Sequence, residues 1–348
     1  MSQRFSCMLV IALLLNIIHT ATLFSQTESF YKNKTITIVT GYSTGGTMDG
    51  WARLMAQYLG KHMPGNPGAV VQNMPGGGSM VAANYIYKVA KPDGLTLGLF
   101  GPGLFFGQLI GQKEVQFQWE KFSWIGSPEL TDESLYVRTD SNYKTLEDIR
   151  KAPGQVRCGA GNRGSSSYYI PKIVEDIASV KFNMVTGYPG TADANLALEK
   201  GEIHCRATST GSVFGAEPGR TWLKTGFISL LMHTGAKRDP RIPQVPTIYD
   251  LMDRYKTPEA TRRLVKVVVS PGNIGRPFVS APGTPPDRVK LLRDGFAKAM
   301  ADPELLAEAK RRDWDAEHIR GEELESLARE VTSQPPEVIE RLKSLLSN

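Results

Sequence analysis

The 348-residue chain has only three cysteines, and no Cys-x-x-Cys pair among them. With its histidines scattered and none at ligand spacing, zinc has no obvious site. There is no run of lysine or arginine either; 41 basic against 35 acidic side chains is an ordinary surface excess, so no nucleic-acid partner is expected. Neither half carries a phosphate loop of the GxxxxGK[ST] type. Beyond residue 25 no apolar run is long enough to span a bilayer. The adjacent acids Asp132-Glu133 and Glu322-Glu323 read as solvated faces rather than acid/base couples. No catalytic constellation emerges, the protein is not expected to be an enzyme, and no metal or other cofactor is implied.

The one long apolar run is at the start. Arg4 precedes residues 7–18 (CMLVIALLLNII), and polar residues follow from Gln26. Such a run is short for a membrane span but suits the core of a signal peptide, with cleavage expected between Ala21 and Gln26; a short membrane anchor is the alternative. Cys7 lies too early to be a lipid-attachment site. The mature chain is therefore expected to be exported and soluble. Removing residues 1–25 leaves Cys158 and Cys205, both in expected strands. An oxidising compartment would let them pair, but their separation in space is not given by the sequence, and two buried thiols are the expectation.

Residues 35–59 (TITIVTGYSTGGTMDGWARLMAQYL) organise the rest. Ile36, Ile38 and Val39 are β-branched and flanked by threonines, as in a strand inside a sheet. Gly41, Gly45 and Gly46 then permit a tight turn. After Asp49 the apolar residues Trp51, Leu54, Met55, Tyr58 and Leu59 fall on one face of a 3.6-residue period. A helix starting there presents free N–H groups and the positive end of its dipole, a site for an anion. With no Lys or Arg in 41–50, the donors are neutral.

Strand, glycine loop and helix alternate three times in the first third of the chain, through NMPGGGS at 73–79 and a turn KPDG at 91–94. That alternation implies a parallel sheet with ligands near the strand C-termini. Residues 122–138 look like a crossover, after which the pattern restarts: a strand at 155–159, the loop AGNRGSSS and a helix from Tyr168. A strand at 181–185, the loop TGYPGTAD and a helix to Lys200 follow, then a strand at 203–207. Residues 265–270 are strongly apolar and β-branched. Residues 272–286, rich in proline, are expected to be a linker returning to the first unit, and the charged helical tail from Asp287 to pack on it. The length suits two domains, so the reading is of two similar α/β lobes with helix N-termini converging on one cleft.

Two motifs could mislead. Gly41-Tyr42-Ser43-Thr44-Gly45 matches the G-x-S-x-G nucleophile elbow, but in that fold several strands precede the serine, and no Asp…His pair downstream has a convincing context. An exported serine hydrolase using Ser43 is nonetheless the alternative from another class. Gly159-Ala160-Gly161-Asn162-Arg163-Gly164 matches G-x-G-x-x-G, yet the next strand ends at Val185 without the acid that would hold a ribose. The physics of amides at a helix start survives the loss of that label.

In order along the chain, residues 36–49 (ITIVTGYSTGGTMD), Arg53-Leu54, QNMPGGG, KPDGLTL, AGNRGSSS, GYPGT, Gly201-Glu202-Ile203, Pro246-Thr247 and SAPGTP resemble the extracytoplasmic solute receptors of tripartite tricarboxylate transporters, the Bug receptors. The resemblance covers nearly the whole mature chain. It implies an α/β two-lobed periplasmic binding protein of type II topology, each lobe a mainly parallel sheet flanked by helices, with the ligand cleft between lobes. The divisions would be a signal peptide at 1–25, the first lobe at 26–128, the second at 129–265, and a return to the first lobe at 266–348. Such a receptor binds a small organic carboxylate as a monomer and delivers it to integral membrane permease subunits; a sensor reporting to a membrane kinase is the variant reading.

Carried over by residue, the first-lobe loop gives Ser43, Gly45, Gly46, Thr47 and Asp49, the last as loop support. Gly76 and Gly77, beside Asn73, form a neighbouring loop. In the second lobe Gly161, Arg163, Ser165, Ser166 and Ser167 would receive the other end of the ligand. Tyr188, Gly190, Thr191 and Asp193 would close the side, with Thr208 or Ser209 at the third strand end. The chain departs from the family pattern at Tyr42, Met48 and Trp51, where small residues are usual, and at Gly161-Asn162-Arg163, where Gly-Pro-Gly is. Arg163 is either an exposed loop residue or a charge-assisted partner for a carboxylate, worth roughly 1.5–3 kcal/mol. Phe105, Phe106, Tyr168 and Tyr169 are read as core rather than as stacking partners of an aromatic acid.

Overall fold

In the computed structural model residues 30–347 are described, apart from 162, 164, 189, 190 and 216. The signal segment with Cys7, and Gly190 of the candidate site, lie outside the described residues. The strands are β1 (Thr35–Thr40), β2 (Gly68–Asn73), β3 (Thr96–Leu99), β4 (Ser123–Ser127), β5 (Glu133–Arg138), β6 (Val156–Gly159), β7 (Phe182–Val185), β8 (Cys205–Ser209), β9 (Ile228–His233), β10 (Phe278–Ser280) and β11 (Ile319–Arg320).

β1 is central because its side chains can be buried on both faces: Ile36, Ile38, Val39 and Thr40 are shut from solvent. It lies parallel to β2 on one side and β3 on the other. The helix Thr47–Leu59 follows it and buries Trp51, Leu54, Met55 and Leu59 against the sheet and the tail helix Pro286–Met300. Full burial of each such side chain contributes roughly 1.5–3 kcal/mol.

Two sheets result, ordered β2-β1-β3-β10-β4-β11 and β7-β6-β8-β5-β9. Each repeats one plan: second, first and third strands in parallel, then an antiparallel strand, then a fourth. In the first sheet the antiparallel insert is β10, which arrives only after the chain has been through the second lobe; in the second it is β5, the first strand to arrive. The sheets are thus mixed at pair level, although four of six and four of five strands point the same way. This is the two-lobed architecture the sequence implied.

Four expectations need correction. Residues 265–270 are not extended: they lie inside the helix Glu259–Ile274, which buries Leu264, Val265, Val268 and Val269. Residues 272–286 are more than a linker, since they end that helix and supply β10 to the first sheet. The tail divides its packing: Gly321–Thr332 lies on β4, whereas Pro336–Ser347 packs against the helices Ser166–Ala178 and Glu259–Ile274. The cysteines also differ from expectation. Cys158 on β6 sits directly opposite Cys205 on β8, Cα atoms 4.5 Å apart, and the two form a disulfide.

Candidate functional site

The loop after β1 delivers an open helix start. Gly46 is the N-cap of Thr47–Leu59 and makes no side-chain cap bond, which leaves first-turn N–H groups without a side-chain acceptor among the described residues. Ser43, Thr44, Gly45 and Gly46 are exposed and Thr47 half-buried; around Gly45 and Gly46 a Cβ would meet nothing within 4 Å. Gly45 holds φ at +95°, a conformation L side chains rarely adopt.

Asp49 keeps this loop in shape. Its buried carboxylate accepts from Gly45 N (3.0 Å), Arg53 Nε and Nη2 (2.9 and 3.0 Å) and Asn73 Nδ2 (2.8 Å). Burial opposes the charge, but those bonds outweigh it and hold the carboxyl below its ordinary range. Asn73 Nδ2 also donates to Tyr42 O at 2.8 Å. The Tyr42 hydroxyl bonds to the Ser79 side chain, whose Oγ accepts from Gly101 N at 2.8 Å. Loops from β1, β2 and β3 are stitched together this way, with Gly76 and Gly77 exposed between them.

The second lobe repeats the device at Ser166–Ala178, where N-cap Ser165 makes no side-chain cap bond. Ser165 Oγ pairs instead with Ser167 Oγ at 2.8 Å, and Gly161 N donates to Ser167 Oγ at 3.3 Å. Arg163 is exposed in the same loop, and Thr191 and Asp193 are exposed at the start of helix Thr191–Glu199. Tyr188 turns back on its own lobe, with a ring carbon 3.3 Å from where a Cβ on Gly159 would stand. Thr208 stands opposite Ser134, while Ser209 stands opposite Glu133; Glu133 and Thr208 therefore point to opposite faces of the sheet.

Between the lobes the sequence reading missed a charged centre. Glu133 opens β5, its backbone fixed by Thr234, which receives Glu133 N–H on Oγ1 (2.8 Å) and donates its own N–H to Glu133 O (2.9 Å). Burial raises its carboxyl to about 7, against the pull of the Ser166 hydroxyl bond and the charges of Arg276 and Arg206. Its Oε2 is shut from solvent and has no hydrogen-bond partner among the described residues. Burial and the nearby Glu133 charge both raise Tyr42, from the first lobe, and Tyr169, from the second. Tyr169 meets Phe106 edge-on at 5.2 Å. Phe105, Phe106, Tyr168 and Tyr169 are all buried, as core residues.

The crossovers clasp each other behind this centre. Arg276 N donates to Ser127 Oγ (2.8 Å), its Nε to Glu129 Oε2 (2.9 Å), and Thr131 N to Gly272 O (3.0 Å). Glu129 Oε2 also receives Trp51 Nε1. Gly275, at φ +69°, lies so close that any Cβ would collide with Glu129 O. At the rim, Arg220 Nη1 reaches Asp313 Oδ2 (3.2 Å) and Arg241 Nη2 reaches Asp315 Oδ2 (3.3 Å), joining the second lobe to a loop held on the first by Trp314 against Trp51, 4.8 Å apart.

Ser43 has no histidine beside it among the described residues: His62 pairs with Asp302 (2.8 Å), His204 lies on Arg157, His233 Nδ1 accepts from Gly235 N (3.2 Å), and His318 lies on Phe296. No described helix is long and apolar enough to cross a membrane.

A family model described as tripartite tricarboxylate transporter family receptor matches residues 52–343. A Cupriavidus necator protein described as "UPF0065 protein in gbd 5'region" is 25% identical over 323 residues, which is 91% of this chain and 90% of its own. Among solved structures, a TctC solute binding protein from Polaromonas superposes with a TM-score of 0.64 at 25% identity, covering 91% of this chain and 99% of that one. MatC of Rhodopseudomonas palustris, solved with bound malate, gives a TM-score of 0.64 at 20% identity over 90% and 99% of the two chains.

Proposed function

The chain belongs to the tripartite tricarboxylate transporter receptor family, and from that premise we propose that it is an exported receptor which captures a small organic carboxylate between its lobes and hands it to integral membrane permease subunits. One observation carries the proposal: two helices of 13 residues, one per lobe, start at parallel strand ends with N-termini that no side chain caps. Such helix starts receive anions through neutral donors. The malate held by the R. palustris protein is a carboxylate of the expected kind.

In this reading the chain is cleaved from its signal peptide and works as a monomer, its first lobe formed by 26–128 with most of the chain from β10 onward and its second by 129–265, the helices Glu259–Ile274 and Pro336–Ser347 packing on the second-lobe helix Ser166–Ala178. Ser43, Gly45, Gly46 and Thr47 hold one end of the ligand, with Gly76 and Gly77 beside them. Gly161, Arg163 and Ser165–Ser167 hold the other, and Thr191 and Asp193 form the rim. Asp49 acts through the loop it supports. The lobes turn about the Ser127–Glu129–Arg276 clasp, closing over the ligand, and no bond of it is made or broken.

A thermal-shift screen of residues 26–348 against mono-, di- and tricarboxylates, aromatic acids and amino acids tests this. A ligand at a hundred times its dissociation constant stabilises by about 2.7 kcal/mol, roughly a few degrees for a protein of this size. A response confined to one acid class, and lost in Gly46→Trp, supports the receptor. Silence across every carboxylate sinks it.

A further inference from the structure

Building on that function, we infer that Glu133 makes the cleft selective for organic acids that also carry a protonated amine, the ammonium binding the unpartnered Oε2 while the carboxylate lies at the helix start of the first lobe. The argument begins with what surrounds Glu133. Its backbone is pinned to Thr234, so the side chain projects from a fixed point. The Ser166 hydroxyl, at the start of the second-lobe helix, lies near enough to favour its charged form. One carboxylate oxygen of Glu133, Oε2, is out of water and has no partner among the described residues. A carboxylate oxygen left in that state carries the full cost of its lost hydration.

The Arg276 guanidinium is engaged elsewhere and that of Arg206 in part, its Nε being buried without a hydrogen-bond partner among the described residues. Arg276 gives Nε and Nη2 to Glu129 and Nη1 to Met48 Sδ (3.2 Å), and Arg206 directs Nη1 to the Thr191 carbonyl (3.2 Å) and the Asn195 side chain. A second ligand carboxylate placed here would face a buried acid. A hydroxyl would complete the hydrogen bond but leave the charge uncompensated; an ammonium does both. The first-lobe cradle has the opposite character, with exposed glycines, an uncapped helix start and no Lys or Arg in 41–50. Beside its anion-receiving helix starts the cleft therefore has a place for a cation at Glu133, which is the charge pattern of an amino acid.

The rise of the Glu133 carboxyl to about 7 fits an acid waiting for its counterion and gives the test a sign. Calorimetric titration would compare matched pairs on the wild type and Glu133→Gln: aspartate with succinate, glutamate with glutarate, 4-(aminomethyl)benzoate with 4-methylbenzoate. In the wild type at pH 8 one amino-bearing member should bind at least about tenfold tighter than its partner. In Glu133→Gln that ratio should fall to within about twofold, while the plain acid binds no more weakly than before. The wild-type preference should also grow from pH 5.5 to 8 and be flat in the variant.

A plain acid that binds tighter, or a ratio untouched by Glu133→Gln, overturns the inference and leaves the receptor standing. So does affinity for plain acids that falls as pH rises only when Glu133 is present, because Glu133 would then be donating a proton to the ligand carboxylate. If no acid of either kind binds, the carboxylate-receptor reading fails and takes this one with it.

Discussion

The Arg276 guanidinium meets the Glu129 carboxylate at 2.9 Å, with both side chains almost wholly out of water. Glu129 belongs to the segment leaving the first lobe and Arg276 to the segment returning, so one ion pair ties both crossovers. Its worth is mostly the penalty that breaking it would expose. Arg276→Met should leave a buried unpaired carboxylate and destabilise by about 3–5 kcal/mol, read as a drop in urea midpoint at pH 7. A loss under about 1 kcal/mol would mean that water reaches Glu129.

The Cys158–Cys205 bridge closes a loop of sequence separation 47. A loop of that size stabilises by about 2–4 kcal/mol, chiefly by restricting the unfolded chain. Denatured protein purified from an oxidising compartment should show no free thiol from this pair, and Cys158→Ala with Cys205→Ala should lower the urea midpoint accordingly. Two titratable thiols in the mature chain would contradict the bridge.

The rim pairs Arg220–Asp313 and Arg241–Asp315 are largely exposed. Each therefore adds under about 1 kcal/mol to stability, but both can form only while the lobes are together. Arg220→Ala combined with Arg241→Ala should barely move the melting temperature and should expand the ligand-free protein in solution scattering, with ligand affinity weakened a few-fold. An unchanged radius of gyration would show that the rim does not govern closure.

Glu133 should leave a mark on stability against pH. Below the ordinary carboxylate range it is protonated in folded and unfolded chains alike. As pH rises the unfolded chain ionises first, so folded-state stability falls until about 7 and levels off above it. The fall is on the order of 3 kcal/mol. The groups facing it, Tyr42, Tyr169, Arg276, Arg206 and Asp132, do not reverse that direction. Relative to wild type, Glu133→Gln should gain stability at pH 8 but not at pH 4; an equal difference at both would place the Glu133 carboxyl in its ordinary range.

The repeating strand–glycine loop–helix units were legible because each is written locally, in β-branched runs, glycine turns and a 3.6-residue stripe such as Trp51, Leu54, Met55 and Tyr58. Val265–Val269 misled because four valines in five residues favour a strand, whereas a wider window shows Thr261, Leu264, Val265 and Val268 on one helix face. Packing against helices of both lobes overrode local propensity. In the sequence Glu133 reads as half of an acidic pair on a solvated face. Adjacent residues on a strand point to opposite sides, and only the fold shows that one of them looks into the space between the lobes. The cysteines were placed on the right strands, but strand order, which pairs β6 with β8, is a long-range fact no local pattern carries.

The inserted strand of each sheet has a consequence in time. All strands of the second sheet lie between Glu133 and His233, and its insert, β5, comes first. The first sheet holds β1, β2, β3 and β4 early but lacks the strand that joins β3 to β4 until Phe278–Ser280 appears. A chain emerging from its N-terminus therefore finishes its later lobe before its earlier one. Until β10 arrives, the half that begins the molecule must wait with an open gap in the middle of its sheet.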